Sequence, residues 1–159
     1  MTAAVIDNTL LSNFAHVQQP RLLAAAFHQP MTVRPVMDEL QVGVQIGRIP
    51  AVDWTWLEIV ELDDQERMVA YVLTQTLGQG EAACIALAQV RGCIVLTDDR
   101  DARRVAQQAG LRVSGTLGAL MNLVRSSVLS LTEGDELLQV MKRNGYRCPV
   151  ASLSELSTG

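Results

Sequence analysis

The chain has 159 residues, enough for one domain with a substantial buried core. With 13 basic and 17 acidic residues, a net charge of −4 and 48% apolar residues, it excludes disorder and argues against a broad non-specific DNA-binding surface. No apolar stretch is long enough to span a membrane, and Asp7 interrupts the N-terminus before a signal-peptide core could form, so a cytoplasmic protein without membrane contact is expected.

Ala3–Ile6 is a continuous apolar run that ends in Asp7, as a strand buried on both faces of a parallel sheet does. Thr9–His16 and Arg21–His28 read as helical pieces separated by Pro20, and Met31–Arg34 as a short extended segment. Pro35 suits the first turn of a helix running through Val36, Met37, Leu40 and Val44, weakened by Gly43 and Gly47. Trp56–Leu62 reads as a strand, with Trp54 and Trp56 spaced to share one face. Packing or a dimer interface is the favoured use of that pair over base stacking. Asp63 and Glu66 have capping-box spacing before a helix holding Met68, Val69, Val72 and Leu73. Gly78-Gln79-Gly80 breaks that helix, and an apolar helix begins at Glu81.

Gly92 leads into a second buried strand, Cys93–Thr97, which ends in Asp98-Asp99. Ala102–Ala109 is helical with Gly110 as its stop, and Leu111–Ser114 is a brief fifth strand. Thr116 starts an apolar helix, and Thr132 with Asp135 caps the last one, which stops near Gly145. Strands interleaved with helices predict a three-layer α/β/α sandwich around a mostly parallel sheet of about five strands. Residues 1–150 form the expected single domain and 151–159 a C-terminal tail. The cysteines Cys84, Cys93 and Cys148 lack C-x-x-C spacing and read as small hydrophobes, while His16 and His28 are isolated.

In a parallel sheet the ligand crevice lies beyond the carboxyl ends of the strands, so Asp7 and Asp98/Asp99 are expected on one rim. Carboxylates converging there repel one another unless a hard cation neutralises them, and Mg²⁺ or Mn²⁺ suits an all-oxygen site. Glu39 and Glu81, each early in a helix, are further candidates, although first-turn acids also complement the helix dipole. Asp98-Asp99 could equally cap the following helix. Nothing about ending a buried strand requires Asp7. A phospho-acceptor receiver domain would need an acidic pair at the first strand, and a haloacid-dehalogenase-type phosphotransferase a second Asp where Thr9 stands.

The segments Val5-Ile6-Asp7-Asn8-Thr9-Leu10-Leu11, Gly80-Glu81-Ala82-Ala83-Cys84-Ile85 and Thr97-Asp98-Asp99-Arg100-Asp101-Ala102-Arg103 arrive in that order, followed by Gly115-Thr116-Leu117-Gly118. This set resembles the PIN-domain nucleases, most closely VapC-like toxin ribonucleases with G-E-x-x-x-I, D-D-x-x-A-R and G-T-x-G motifs. The resemblance implies a Mg²⁺- or Mn²⁺-dependent endoribonuclease that cleaves RNA by metal-activated water. Its partners would be a small antitoxin protein and a second copy in a homodimer. It implies catalytic roles for Asp7, Glu39, Glu81, Asp98 and Asp99, with Asp7, Glu81, Asp98 and Asp99 near the metal. Glu39 matches by position only, and Glu81 stands where many members carry Asp. The T-x-D spacing selects Asp99, while the paired acids leave Asp98 eligible. Thr9 is expected to orient Asp7 through its hydroxyl. Arg100, Arg103 and Arg104 either grip substrate phosphates or form a solvated helix face pairing with Asp101. The alternative is a catalytically inactive PIN-like scaffold that binds nucleic acid or protein.

Overall fold

The structure, a computed structural model, describes residues 1–157. Five short strands are β1 (Ala4–Ile6), β2 (Pro30–Val33), β3 (Glu58–Val60), β4 (Ile94–Leu96) and β5 (Val113–Ser114). They pair in parallel throughout, in the order β3-β2-β1-β4-β5. Between and after them run α1 (Asn8–His16), α2 (Leu22–Ala26), α3 (Arg34–Gln45), α4 (Asp64–Leu73), α5 (Gln79–Arg91), α6 (Arg100–Gln108), α7 (Thr116–Arg125), α8 (Leu131–Arg143) and α9 (Ser154–Ser157). Helix α5 touches β1, β2 and β4 and is joined by α4 and α6. The right-handed crossover rule puts α1 and α2 on the other face, where α2 meets α7 and α8 meets both α7 and α1. The result is the expected α/β/α sandwich. Helix α3 contacts both α1 and α5 and so stands at the rim between the two layers.

Burial explains why the central strands read as apolar runs. Ala4, Val5 and Ile6 of β1 and Val95 and Leu96 of β4 are all buried. Helix α5 is apolar nearly all round, with Ala82 through Ala88 buried, because it is packed by the sheet on one side and by α3, α4 and α6 on others. Cys84 and Cys93 are buried in this core.

Several local expectations are corrected. The strand expected over Trp56–Leu62 is only Glu58–Val60, and Trp54 and Trp56 precede it in a turn. Their rings meet at 6.1 Å and 42°, and Trp56 Nε1 donates to the Asp53 carbonyl at 3.1 Å, closing that turn. Gly80 does not lie outside a helix. Gly78 is the N-cap of α5, and Gly80 is buried in its first turn. The cap of α8 is Ser130 with Glu133, two residues before the expected Thr132 and Asp135. Asp135 instead accepts a bond from Leu153 N at 2.6 Å, and the Leu153 side chain is buried. Of the expected tail, residues 158 and 159 lie outside the described residues. The Asp63–Glu66 capping box forms as expected. Glu66 is also buried and paired with Arg91, which reaches it with two nitrogens at 2.7 and 2.9 Å.

Candidate active site

Strands β1 and β4 are neighbours in register, with Ile6 opposite Leu96. The ladder extends one step further, since Asp7 N donates to the Leu96 carbonyl at 2.9 Å. Asp7 and Thr97 therefore leave the sheet side by side. The strand order reverses direction between β1 and β4, and such a switch point opens a crevice beyond the carboxyl ends.

Asp7 is only 3% exposed. Its Oδ1 accepts from Asn8 N at 2.7 Å, and its Oδ2 accepts from the Thr97 hydroxyl at 2.8 Å. Burial pushes its carboxyl up to about 6 against those two bonds, and Glu39 and Asp99 raise it further. The orienting hydroxyl is thus that of Thr97, not Thr9. Thr9 is one residue into α1, and its oxygen accepts from Asp98 N at 2.9 Å. Thr97 is the residue sequence reasoning missed. It is buried, donates to Asp7, and accepts from Asp99 N at 3.1 Å, tying the two acids together. The signal was the threonine of the T-x-D spacing itself.

Asp98 and Asp99 diverge. Asp99 caps α6 with Oδ2, which accepts from Ala102 N at 2.8 Å, and its charge is felt by both Asp7 and Glu81. Asp98 faces the other way. Its Oδ1 accepts from Thr116 N at 2.9 Å, and its Oδ2 from the Thr116 hydroxyl at 2.5 Å and from Asn13 Nδ2 at 3.4 Å. Burial raises its carboxyl, opposed by those bonds and by Arg103. Asp98 therefore satisfies the first turn of α7, whose N-cap Gly115 has no side chain to do so. A Cβ on Gly115 would collide with Asp98 Oδ1, and one on Gly118 with Ser114 Oγ, which accounts for both glycines of the G-T-x-G motif.

Glu81 lies in the first turn of α5, where its Oε2 accepts from Gly78 N at 3.3 Å. Burial pushes its carboxyl up to about 7, with Asp99, Asp7 and Glu39 adding to the effect. Glu39 is exposed on α3. It reaches this group because α3 and α5 approach closely at Gly80, where a Cβ would stand 3.1 Å from Val36 Cγ2 and 3.3 Å from Glu39 Oε2. Four acids from four segments thus share one electrostatic environment: Asp7, Glu39, Glu81 and Asp99. Among the described residues none of them is in a salt bridge.

No three His, Cys, Asp or Glu side chains among the described residues close around a single point that could hold a metal ion. The donor set nevertheless fits a hard cation of the Mg²⁺ type, which takes one or two carboxylates directly and keeps several waters. The acids are all-oxygen donors, and the charges of Glu39 and Asp99 help to raise the carboxyls of Asp7 and Glu81. Beside them Asn8 Oδ1 is a buried oxygen without a hydrogen-bond partner among the described residues.

A groove of about 900 Å³ runs from Asp99. Three segments line it: α1 from Asn8 to His16, the β4–α6 junction with Arg100 and Arg103, and residues 144–149. The three arginines part company. Arg100 is exposed on the groove, whereas Arg103 also donates from Nη1 to the Thr97 carbonyl at 2.9 Å. Arg104 is turned to solvent and pairs with Asp101 at 3.2 Å.

These features define a class: an α/β/α sandwich around a parallel sheet, with an acidic crevice at its switch point. The DUF3368 family model, a PIN domain, matches residues 3–157, and the chain belongs to the PIN-domain family. The fold is thereby of nuclease type, and PIN domains generally act as nucleases and typically use divalent metal ions. No curated protein matches the chain significantly. Among the described residues no helix is long and apolar enough to cross a membrane.

Proposed function

We propose that this protein is a Mg²⁺- or Mn²⁺-dependent endoribonuclease, with Asp7, Asp99 and Glu81 holding the ion and Glu39 completing the acidic rim. The observation that carries the reading is the convergence at the switch point of four acids that have no salt bridge among the described residues, two of them with carboxyls raised to about 6 and about 7. A carboxylate cluster with a buried member, Asp7, and no counter-charge among the described residues is costly, so it is better explained by a cation partner than by stability. Asp7, held through both oxygens by Asn8 N and Thr97, would present a fixed ligand. Asp99, with one oxygen committed to capping α6, keeps the other for the crevice. Glu81, with the longer arm, would accept a proton or position a water. A divalent ion bound here supplies Lewis-acid polarisation of a phosphate oxygen and a lowered pKa for water. Arg100 and Arg103 neutralise the backbone of the strand beside the acids.

The toxin role, a small antitoxin partner and a homodimer are extensions supported by the motif resemblance. Light scattering of the pure protein checks the dimer, and a monomer would count against it. The experiment for the activity is cleavage of a labelled RNA with and without Mn²⁺. Metal-dependent product that disappears in Asp99→Asn, with an unchanged far-UV spectrum, is expected. If RNA stays intact under all metals while the folded protein binds it, the inactive-scaffold reading replaces this one.

A further inference from the structure

We infer that residues 144–149, the segment leaving α8, form the second wall of the substrate channel, and that Arg147 grips the phosphate backbone of a single RNA strand there. The inference rests on the ribonuclease reading above and adds a contact that none of its motifs contains. Two cavities flank this segment. The groove of about 900 Å³ that begins at Asp99 lies on one side, and a pocket of about 410 Å³ beside the first turn of α7 on the other. Asp98, Arg103, Tyr146, Arg147 and Pro149 line both, so Arg147 stands where the two meet.

Arg147 is exposed, and among the described residues it has no salt bridge and no hydrogen bond. Arg21, Arg34, Arg67, Arg91 and Arg104, by contrast, are each paired with a carboxylate. The turn that precedes Arg147 is hydrogen-bonded. Gly145 adopts a left-handed φ of +103°, turning the chain out of α8, and Tyr146 N returns to the Met141 carbonyl at 3.0 Å. The Tyr146 ring is half-buried, and burial raises its hydroxyl pKa. This turn therefore brings a free guanidinium to the same groove that Arg100 and Asp99 line. Two arginines facing one channel suit successive phosphates of a strand, and planar guanidinium is the donor best matched to phosphate.

The test uses the full chain in an Asp7→Asn background, which prevents cleavage, with a fluorescein-labelled oligouridylate as probe. Anisotropy gives Kd from 50 to 200 mM salt in Mg²⁺. Losing one phosphate contact is expected to weaken binding about three- to tenfold and to flatten the slope of log K against log salt by about 0.7. Arg147→Gln should show both changes, and Arg147→Lys should recover the slope. Arg125→Gln, at the far end of α7 and lining neither cavity, should show neither. If Arg147→Gln keeps the parental slope while the parent binds, the contact is refuted and the ribonuclease reading stands. A weakened Kd with an unchanged slope would mark a packing effect and refute it too. If neither this parent nor the wild-type chain in EDTA binds RNA, both fall.

Discussion

Replacing Asp7 by Asn should make the metal-free protein more stable and the metal-bound protein less so. Folding buries this carboxylate and raises its pKa from 3.8 to about 6. Holding it ionised at neutral pH therefore costs on the order of 3 kcal/mol. Asn retains the shape and can accept from Asn8 N, and the raised value is already net of the bonds from Asn8 N and Thr97. The expected gain in EDTA at pH 7.5 is about 2–3 kcal/mol, a rise in Tm of roughly 4–12 °C for a domain of this size. The sign with pH follows from the raised value. The penalty is present above about 6, shrinks as pH falls through 6, and is gone below 3.8, so the two melting curves should converge near pH 4. Addition of Mn²⁺ should reverse the order. At 100 times Kd the wild type gains about 2.7 kcal/mol while Asp7→Asn gains little. Scanning calorimetry across pH 4–8, with and without metal, checks this. A variant less stable than wild type in EDTA at pH 7.5 would refute the reasoning, because Asp7 would then be a structural asset.

Thr97→Val removes a buried hydroxyl that donates to Asp7 and accepts from Asp99 N, so urea denaturation should show a loss of about 1–3 kcal/mol, with Thr97→Ser close to wild type. Gly115→Ala should cost about 1–3 kcal/mol, because the new Cβ would meet Asp98 and Arg103 although its φ of −142° is open to any residue; thermal melting reads this. Arg91→Met strands the fully buried Glu66, and the loss should be roughly 2–4 kcal/mol, moderated because Arg91 is itself 41% exposed. Arg91 holds the Glu66 carboxyl below its ordinary value of 4.5, so the pair's contribution is present at neutral pH and is lost as pH falls through that depressed value. The difference between Arg91→Met and wild type should accordingly narrow in acid.

The elements that sequence reasoning read best are those whose physics is local or periodic. Strands β1 and β4 are buried on both faces, so their apolar runs and terminal acids were visible without knowing the partners. The Asp63–Glu66 box was legible from spacing alone. Most of what failed was decided by neighbours distant in sequence. Trp54 and Trp56 have strand-like propensity, but their packing against the core and the bond to the Asp53 carbonyl fold them into a turn. Asp98 and Asp99 could not be separated from composition, because adjacent residues project to opposite sides. Only the position of α7, whose first turn Asp98 satisfies, leaves Asp99 facing the acids. Gly80 looked like a helix breaker, and its use emerges only when α3 is seen against it, bringing Glu39 towards Glu81. Thr9 is the hydroxyl nearest Asp7 in sequence, and the β1–β4 register brings Thr97 to Asp7 instead.

The central claim is that carboxylates from separate strands and helices share one divalent ion. The direct measurement is an anomalous-scattering map of crystals soaked in Mn²⁺. A single strong peak within coordination distance of Asp7 or Asp99, with Glu81 close by, is the expected result. A peak confined to Asp98 or the remote surface, or an empty crevice at saturating Mn²⁺, would contradict it.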